Sequence, residues 1–335
     1  MSEPSGQAWI VEEVASAEVM AVAPSVSVLI NTYNHEPFIG ECLAGVAAQQ
    51  TSFPVEVVIG EDCSTDRTRA ICRAFQRQHP RQVRLLLPSR NVGELENFRL
   101  CFRACRGRYV ALLEGDDLWT SPLKLQRQYD QLERHPAWAM CIHNVSLVGD
   151  AHRPGDVFFG ADRKPVYARA DFVERNFVPT CSCMFRNRGP DILPEWFWDP
   201  AANPYPDWIL HVTNAAYGDI GCLDDVLGVH RRHAGGVWGS TFDGSADGDI
   251  RRMRKRLTAF ERLQECMGAA QAAALRRQRA AACFHIALAY RRKAEWPAVR
   301  RFLAKGFFID PLAPHPFWRS YLLTWAPRRG EQGHA

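Results

Sequence analysis

The sequence predicts an α/β protein: a Rossmann-like, mostly parallel sheet with flanking helices, followed by a C-terminal helical appendage. Three observations predict it. Four short apolar runs alternate with helical segments up to about residue 145, the pattern of a doubly wound sheet. Polar, acid-rich clusters follow three of those runs, at the carboxyl ends where open α/β sheets bind ligands. From about Asp249 to Gly306 the chain turns Arg- and Ala-rich, with helical spacing.

The elements follow in order. Residues 1–24 are small, acidic and weakly periodic, and read as a flexible leader. Val26-Ser27-Val28-Leu29-Ile30 is a buried parallel strand that stops at Asn31-Thr32-Tyr33-Asn34-His35. A helix follows from about Phe38 to Gln50. Val55 to Gly60 is the second strand, ending at Glu61-Asp62-Cys63-Ser64-Thr65-Asp66, with a helix from about Thr68 to Arg77. Val83 to Leu87 is the third, followed by a loop through Asn91-Val92-Gly93 and a helix over Glu96 to Cys105. Tyr109 to Leu113 is the fourth, and it runs into Glu114-Gly115-Asp116-Asp117. After Pro136 the pattern is mixed, with short strands such as Ala139 to His143 between Pro- and Trp-rich loops. The tail reads as a helical hairpin broken at Glu295-Trp296-Pro297-Ala298. One such pair is not a repeat array. The divisions are therefore a leader over 1–24, an α/β domain over 25–245 and a helical extension over 246–335. Within the domain the pattern divides into two halves, 25–145 and 146–245.

Bulk properties exclude several classes. The chain has 335 residues and a net charge of +4, too small to argue for nucleic acid. Eleven cysteines occur without a C-x-x-C pair, which favours reduced thiols in a cytosol over a metal or disulfide framework. The start Met-Ser-Glu-Pro lacks a basic segment followed by an apolar run, so no signal peptide is expected. No stretch approaches the ~20 apolar residues that span a bilayer. A soluble or peripherally attached protein is expected.

Glu114-Gly115-Asp116-Asp117 packs three carboxylates into four residues. Such a group repels itself unless a cation is present, and oxygen ligands of this kind suit Mg²⁺ or Mn²⁺ held with substrate phosphates. The plain alternative is a solvated turn before the helix that starts at Thr120-Ser121-Pro122. Ser64 and Asp66 read as helix caps, whereas Asp62 is better explained as an acceptor for a base or ribose in the crevice. His230-Arg231-Arg232-His233-Ala234-Gly235-Gly236 combines cations with a Gly-Gly loop, which suits a lid over a diphosphate with Arg232 on phosphate.

Taken together, Val26 to Asn34, Gly60 to Asp66, Asn91-Val92-Gly93 and Glu114-Gly115-Asp116-Asp117-Leu118-Trp119 resemble the inverting family-two glycosyltransferases of the GT-A fold. The order and spacing match over about residues 25–145, and weaker matches continue to about 240; the resemblance implies a nucleotide-binding half over 25–145 and an acceptor half over 146–245. The resemblance implies that Thr32, Tyr33 and Asp62 hold the nucleotide base, with Asn34, Glu61, Asn91 and Gly93 in the same nucleotide-sugar site. It implies Asp116 near the ribose and Asp117 on a Mn²⁺ or Mg²⁺ bridging the diphosphate, with His233 completing the metal shell. The motif here is Gly-Asp-Asp, so which carboxylate touches the metal stays open. Val178 to Arg186 resembles the segment that lines the acceptor side.

Asp207 lies where the family carries its catalytic base, the group that takes the acceptor hydroxyl's proton. The match is loose because Pro206 precedes it, and Glu195 and Asp224 remain alternatives. Asp207 also suits a helix cap. The implied function is metal-dependent, non-processive transfer from a nucleoside-diphosphate sugar to a glycan or lipid-linked acceptor, in bacterial surface polysaccharide or glycoconjugate assembly. A Gln-x-x-Arg-Trp segment, the mark of processive synthases, is absent. The implied place is the cytoplasm, with peripheral contact at the inner membrane an option.

Two other readings compete. A nucleotidyltransferase also places acids at strand ends, but needs a Gly-rich, basic phosphate loop after the first strand, which Asn31 to Gly40 does not supply. A non-catalytic scaffold would use the helical tail as its docking element. The tail's arginines, among them Arg251, Arg252, Arg254 and Arg256, read as solvated helix faces. The alternative is contact with anionic lipid through these and the aromatic segment Phe317 to Trp325.

Overall fold

In a computed structural model that describes residues 9–149, 152–233 and 245–311, the apolar runs form the centre of one ten-stranded sheet. The chain divides into two compact units, Met1–Gly236 and Val237–Ala335.

The first unit begins with β1 (Val11–Val14), α1 (Ala17–Ala21), β2 (Val26–Thr32), α2 (Ile39–Ala47), β3 (Val55–Glu61) and α3 (Thr68–Gln78). It continues with β4 (Val83–Pro88), α4 (Glu94–Ala104), β5 (Tyr109–Glu114), β6 (Leu118–Trp119) and α5 (Lys124–Arg134). Then come β7 (Trp138–Gly149), β8 (Val166–Tyr167), β9 (Met184–Arg186), α6 (Pro206–Asn214) and β10 (Asp219–Arg232). The strand order is β1-β4-β3-β2-β5-β9-β7-β10-β6, with β8 on β10. β4, β3, β2 and β5 are mutually parallel; β1 and β9 run antiparallel to their neighbours.

The parallel centre follows from composition. Val26, Val28 and Ile30 on β2 are fully buried, as are Ile59 on β3 and Ala111 on β5, because helices cover both faces. Ile39, Cys42 and Leu43 of α2 and Leu95, Phe98 and Phe102 of α4 supply that cover. Each fully buried Val, Leu or Ile contributes roughly 1.5–3 kcal/mol, so the core can hold a crowded, charged rim. Register fixes the rim. Asn31 lies opposite Gly60 on one side and Glu114 on the other, and Thr32 opposite Glu61. Sequence order also reverses at β2, with β3 and β4 on one side and β5 on the other. That is the crevice where such sheets bind ligands.

Two expectations change. Val11 to Val14, inside the expected leader, pair antiparallel with Leu85 to Pro88, so the described part of that segment belongs to the sheet edge. The short strand expected over 139–143 extends to Gly149, because its polar residues find partners: Asn144 bonds both backbone groups of Phe159. β7 pairs in parallel with β10 along its length.

Among its described residues the second unit has three helices: α7 (Ala246–Cys266), α8 (Ala269–Arg292) and α9 (Trp296–Ile309). The α8–α9 turn falls at the expected break, with Ala294 at φ 57°. The additional break, at Met267-Gly268, leaves Gly268 extended as the residue before α8. Gly235-Gly236 and Phe317 to Trp325 lie outside the described residues.

Candidate active site

The loops after β2 and β3 are tied together before they meet anything else. Asn34 takes a left-handed conformation, φ 52°, and its Oδ1 accepts from the backbone of Thr65 at 2.8 Å. Its own N–H donates to Ser64 Oγ at 2.9 Å. Glu61 is fully buried; Oε1 accepts from Ser64 N at 2.7 Å and Oε2 from the Arg69 guanidinium. The geometry makes Asn34 and Glu61 supports of the crevice wall rather than groups directed at a ligand. Thr32, also buried, bonds His35 Nδ1 at 3.3 Å, while Tyr33 is exposed at the rim.

Asp62 holds the next loop. Its two carboxylate oxygens accept from Val92 N at 2.7 Å and Gly93 N at 2.9 Å, and Asn91 Nδ2 donates to its carbonyl at 3.1 Å. Gly93 has φ 90°, which favours glycine and turns the chain into α4. Burial raises the Asp62 pKa, and the two amides partly offset it. A carboxylate has about four lone-pair sites, so capacity remains for a donor on a ligand.

Glu114 to Asp117 makes a tight turn, closed by Asp117 N donating to the Glu114 carbonyl at 3.0 Å. Gly115 is required there: a Cβ would lie 2.4 Å from Thr32 Oγ1 and 2.8 Å from His35 Nδ1. The turn presents two carboxylates in different ways. Asp117 is buried, and its oxygens meet Arg231 N at 2.8 Å and His230 Nδ1 at 3.1 Å. Asp116 is more open, with Oδ2 at 3.0 Å from His233 Nε2 and 3.9 Å from His35 Nε2. Burial lowers the His35 pKa, opposed by Asp116. Burial would lower that of His230 too, but the bond and charge of Asp117 outweigh it and raise the value.

The sequence-predicted Asp117 and His233 thus reach the same corner but contact different groups. Arg231, not Arg232, carries the cation that faces it: Nη1 bonds the Asp116 carbonyl at 3.1 Å and Nη2 pairs with Glu41. Strand alternation at the end of β10 sends the two arginines to opposite sides, and Arg232 is exposed.

The corner can hold a divalent cation. Asp116 Oδ2 and His233 Nε2, hydrogen-bonded to each other at 3.0 Å, are two donors of the kind that ligate such an ion. Asp117, Cys181 and His230 form a second possible donor set, their ligand atoms within 4.8 Å of one another. Burial, with the charge of Asp117, pushes the Cys181 thiol well above its usual range, so it stands as a protonated group. The carboxylate oxygens suit Mn²⁺ or Mg²⁺.

Beside the corner is a small pocket of about 50 Å³, whose lining includes Asn31, Glu94, Glu114, Thr180 and Asp207. Asp207 is in the first turn of α6 and accepts from Asn176 Nδ2 at 2.7 Å. Burial raises its pKa, while the Trp208 amide and Asn176 pull the other way. Desolvation by the surrounding protein also raises Glu94, itself exposed, and Glu114, helped at Glu94 by Asp207 and at Glu114 by Asp116 and Asp117. A carboxylate destabilised as an anion is suited to taking a proton. Neither alternative base lines this pocket: Glu195 is exposed, and Asp224, 84% exposed, pairs with Arg163 at 3.0 Å. Sequence reasoning missed Glu94, His35, His230, Arg231 and Asn176. Glu94 directly follows Asn91-Val92-Gly93, and His35 directly follows Asn34, so position beside a motif was the available signal.

Residues 27–189 match the family model for glycosyl transferase family 2. An uncharacterized protein of Mycobacterium tuberculosis is 40% identical over 222 residues, covering 64% of this chain and 61% of that protein. The chain thus spans about three fifths of that relative's length. The S. aureus protein TarS (residues 1–349), solved with UDP-GlcNAc, superposes with TM-score 0.58 at 19% identity, over 86% of this chain and 84% of that one. The mannosyltransferase PcManGT of Pyrobaculum calidifontis, solved with GDP-Man and Mn²⁺, gives TM-score 0.52 at 20% identity, over 91% and 85%. These structural likenesses show a shared GT-A fold.

Proposed function

We propose that this chain, whose residues 27–189 belong to glycosyl transferase family 2, moves a sugar from a nucleoside-diphosphate sugar to an acceptor hydroxyl, with inversion and with a divalent cation. One observation carries the reading. Asp62, the Asp116–Asp117 turn with its histidines, and Asp207 converge at the carboxyl ends of adjacent parallel strands. Two structural neighbours solved with nucleotide sugars, one with Mn²⁺ as well, support the substrate class and the metal.

In this reading Asp62 and the exposed ring of Tyr33 receive the base, with Asn91 and Gly93 held in place by Asp62. Asp116 and Asp117, with His233, would hold Mn²⁺ or Mg²⁺, which would supply charge neutralisation for a departing diphosphate. Arg231 adds positive charge to the same corner. His230 and the Arg231 amide fix the Asp117 carboxylate, so its oxygens need not reorganise during reaction. Asp207 takes the proton of the acceptor hydroxyl as that oxygen attacks the anomeric carbon opposite the leaving diphosphate, which inverts the configuration. Asn176 orients Asp207 by its 2.7 Å bond.

The acceptor is a glycan or lipid-linked glycan, extended non-processively, in bacterial surface polysaccharide or glycoconjugate assembly. The chain works in the cytoplasm, peripherally at the inner membrane. Among the described residues no helix is long and apolar enough to cross a membrane. α9 does expose Trp296, Phe307 and Phe308 with Arg300, Arg301 and Lys305 around its outer face, a composition suited to a lipid interface. Incubation with a panel of sugar nucleotides and Mn²⁺, read by mass spectrometry, tests the function. Release of one nucleoside diphosphate, abolished by chelator, is expected. Release from no donor under any metal condition would refute it.

A further inference from the structure

Among the described residues, one group brings a thiol, an imidazole and a carboxylate together. It is Asp117, Cys181 and His230, with one ligand atom from each within 4.8 Å of the others. Cys181 is fully buried and Asp117 nearly so, while the His230 side chain is 18% exposed and leaves the group an opening. Each donor sits on backbone that is hydrogen-bonded in place. Cys181 lies in the short 3-10 turn Thr180–Ser182, where Ser182 N donates to the Pro179 carbonyl at 2.9 Å. The Trp119 indole donates to the Cys181 carbonyl at 2.8 Å, which ties that turn to β6. Asp117 closes its own turn on the Glu114 carbonyl, and His230 lies opposite Leu147 in the β7–β10 pair. Donors carried in this way keep their relative positions, as a coordination site requires.

The chemistry of this trio differs from that of the Asp116 side of the corner. Carboxylates suit hard cations such as Mg²⁺ or Mn²⁺, whereas a thiolate with an imidazole selects zinc and its softer congeners. As the chain stands, Cys181 keeps its proton beside the Asp117 carboxylate. A thiophilic cation can replace that proton. The S–H bond breaks, a sulfur–metal bond forms, the proton leaves to water and no electron changes hands. Three protein ligands then leave a fourth position for water, the composition of an open zinc site. We propose that Asp117, Cys181 and His230 form a site for Zn²⁺ that inhibits transfer by withdrawing Asp117 from the catalytic cation. With its carboxylate committed to zinc between Cys181 and His230, the hard cation beside Asp116 loses a ligand. The inhibition rests on the function proposed above; the binding of zinc does not.

Titration of the full chain with Cd²⁺, read by thiolate-to-metal ultraviolet absorbance, tests the site without any turnover. One-to-one binding is expected, weakened at least about tenfold in Cys181→Ser, since losing even an outer partner of a ligand costs about that much. His230→Gln should weaken it by a similar factor, and decides the matter if circular dichroism shows that the serine variant does not fold. An unchanged affinity in either folded variant, or no signal in the wild type, would overturn the site. Inhibition is read separately, by titrating Zn²⁺ into Mn²⁺-supported release of nucleoside diphosphate, each protein measured against its own zinc-free rate. The wild type should lose activity at zinc concentrations at least about tenfold below those that affect Cys181→Ser. Equal sensitivity of the two would overturn the inhibition. If the wild type turns over no donor, the function proposed above fails and the inhibition with it, while the cadmium titration still decides the site.

Discussion

The two ends of the same parallel strands treat most of their acids in different ways. At the amino ends, Glu56 is 1% exposed and saturated. It accepts from Ser27 Oγ at 2.6 Å and Arg106 N at 2.7 Å, and pairs with both Arg84 and Arg106. At the carboxyl ends, Glu94, Glu114 and Asp207 line one pocket with Asp116 and Asp117 next to it, and the pKa of each lining acid is raised. The fold can neutralise a buried acid with arginine, as it does for Glu56 and, at the carboxyl end of β3, for Glu61 with Arg69. Where it leaves negative charge in excess, a positively charged ligand and a mobile proton have something to act on.

Several substitutions would sharpen or break that contrast. The largest effect is expected from Asp117→Asn, which removes a charge that two neighbours have been arranged to hold. Metal-dependent release of nucleoside diphosphate should fall roughly a thousandfold with the melting temperature little changed; near-normal turnover would place the cation elsewhere. Asp207→Asn should cost roughly a hundredfold or more in transfer while nucleoside diphosphate affinity stays within a factor of a few. Loss of both would make Asp207 a structural residue.

At the other end of the strands the loss should be one of stability. Glu56→Gln removes the charge that meets buried Arg84 and exposed Arg106, and chemical denaturation should show a loss of about 3 kcal/mol. The folded fraction should retain its turnover number. Reduced kcat without destabilisation would erase the difference between the two ends.

The smallest change concerns pH. Asp207 acts as a base only when deprotonated, and its pKa lies above the ordinary carboxylate value. kcat/KM should therefore fall as pH drops through that raised value, placing the acid limb above the usual carboxylate range. Asn176 stabilises the anion by its bond, so Asn176→Leu should move the limb to still higher pH. A limb that stays put, or moves down, would remove Asn176 from the account.

The parallel centre was legible because fully covered strands must be apolar on both faces, and Val26 to Ile30 or Tyr109 to Leu113 can be little else. The edges were not. β1 is short, and Glu12 and Glu13 face outward between its end valines. β10 breaks its own periodicity, with register shifts between Leu223 and Val226 and between Val226 and Gly228. The site divided along the same line. Residues within a strand-end motif, such as Asp62, Asp116 and Asp117, could be named from local pattern. His230 and Arg231 could not be separated from Arg232 and His233, because which of them reaches Asp117 depends on the register of β10 against β7. Glu94 lies 20 positions before Glu114 and meets it only through the packing of α4 on the sheet. Local sequence carries the strands; convergence across them is a tertiary fact.

The most direct test of the central claim is calorimetric titration of UDP and GDP into the wild type and Asp117→Asn, each with Mn²⁺ and with chelator. Binding of one diphosphate, strengthened at least about tenfold by Mn²⁺ in the wild type only, is the predicted result. Equal affinity with and without metal, or full metal-dependent enhancement in Asp117→Asn, would contradict the account of the Asp116–Asp117 corner as the place where cation and diphosphate meet.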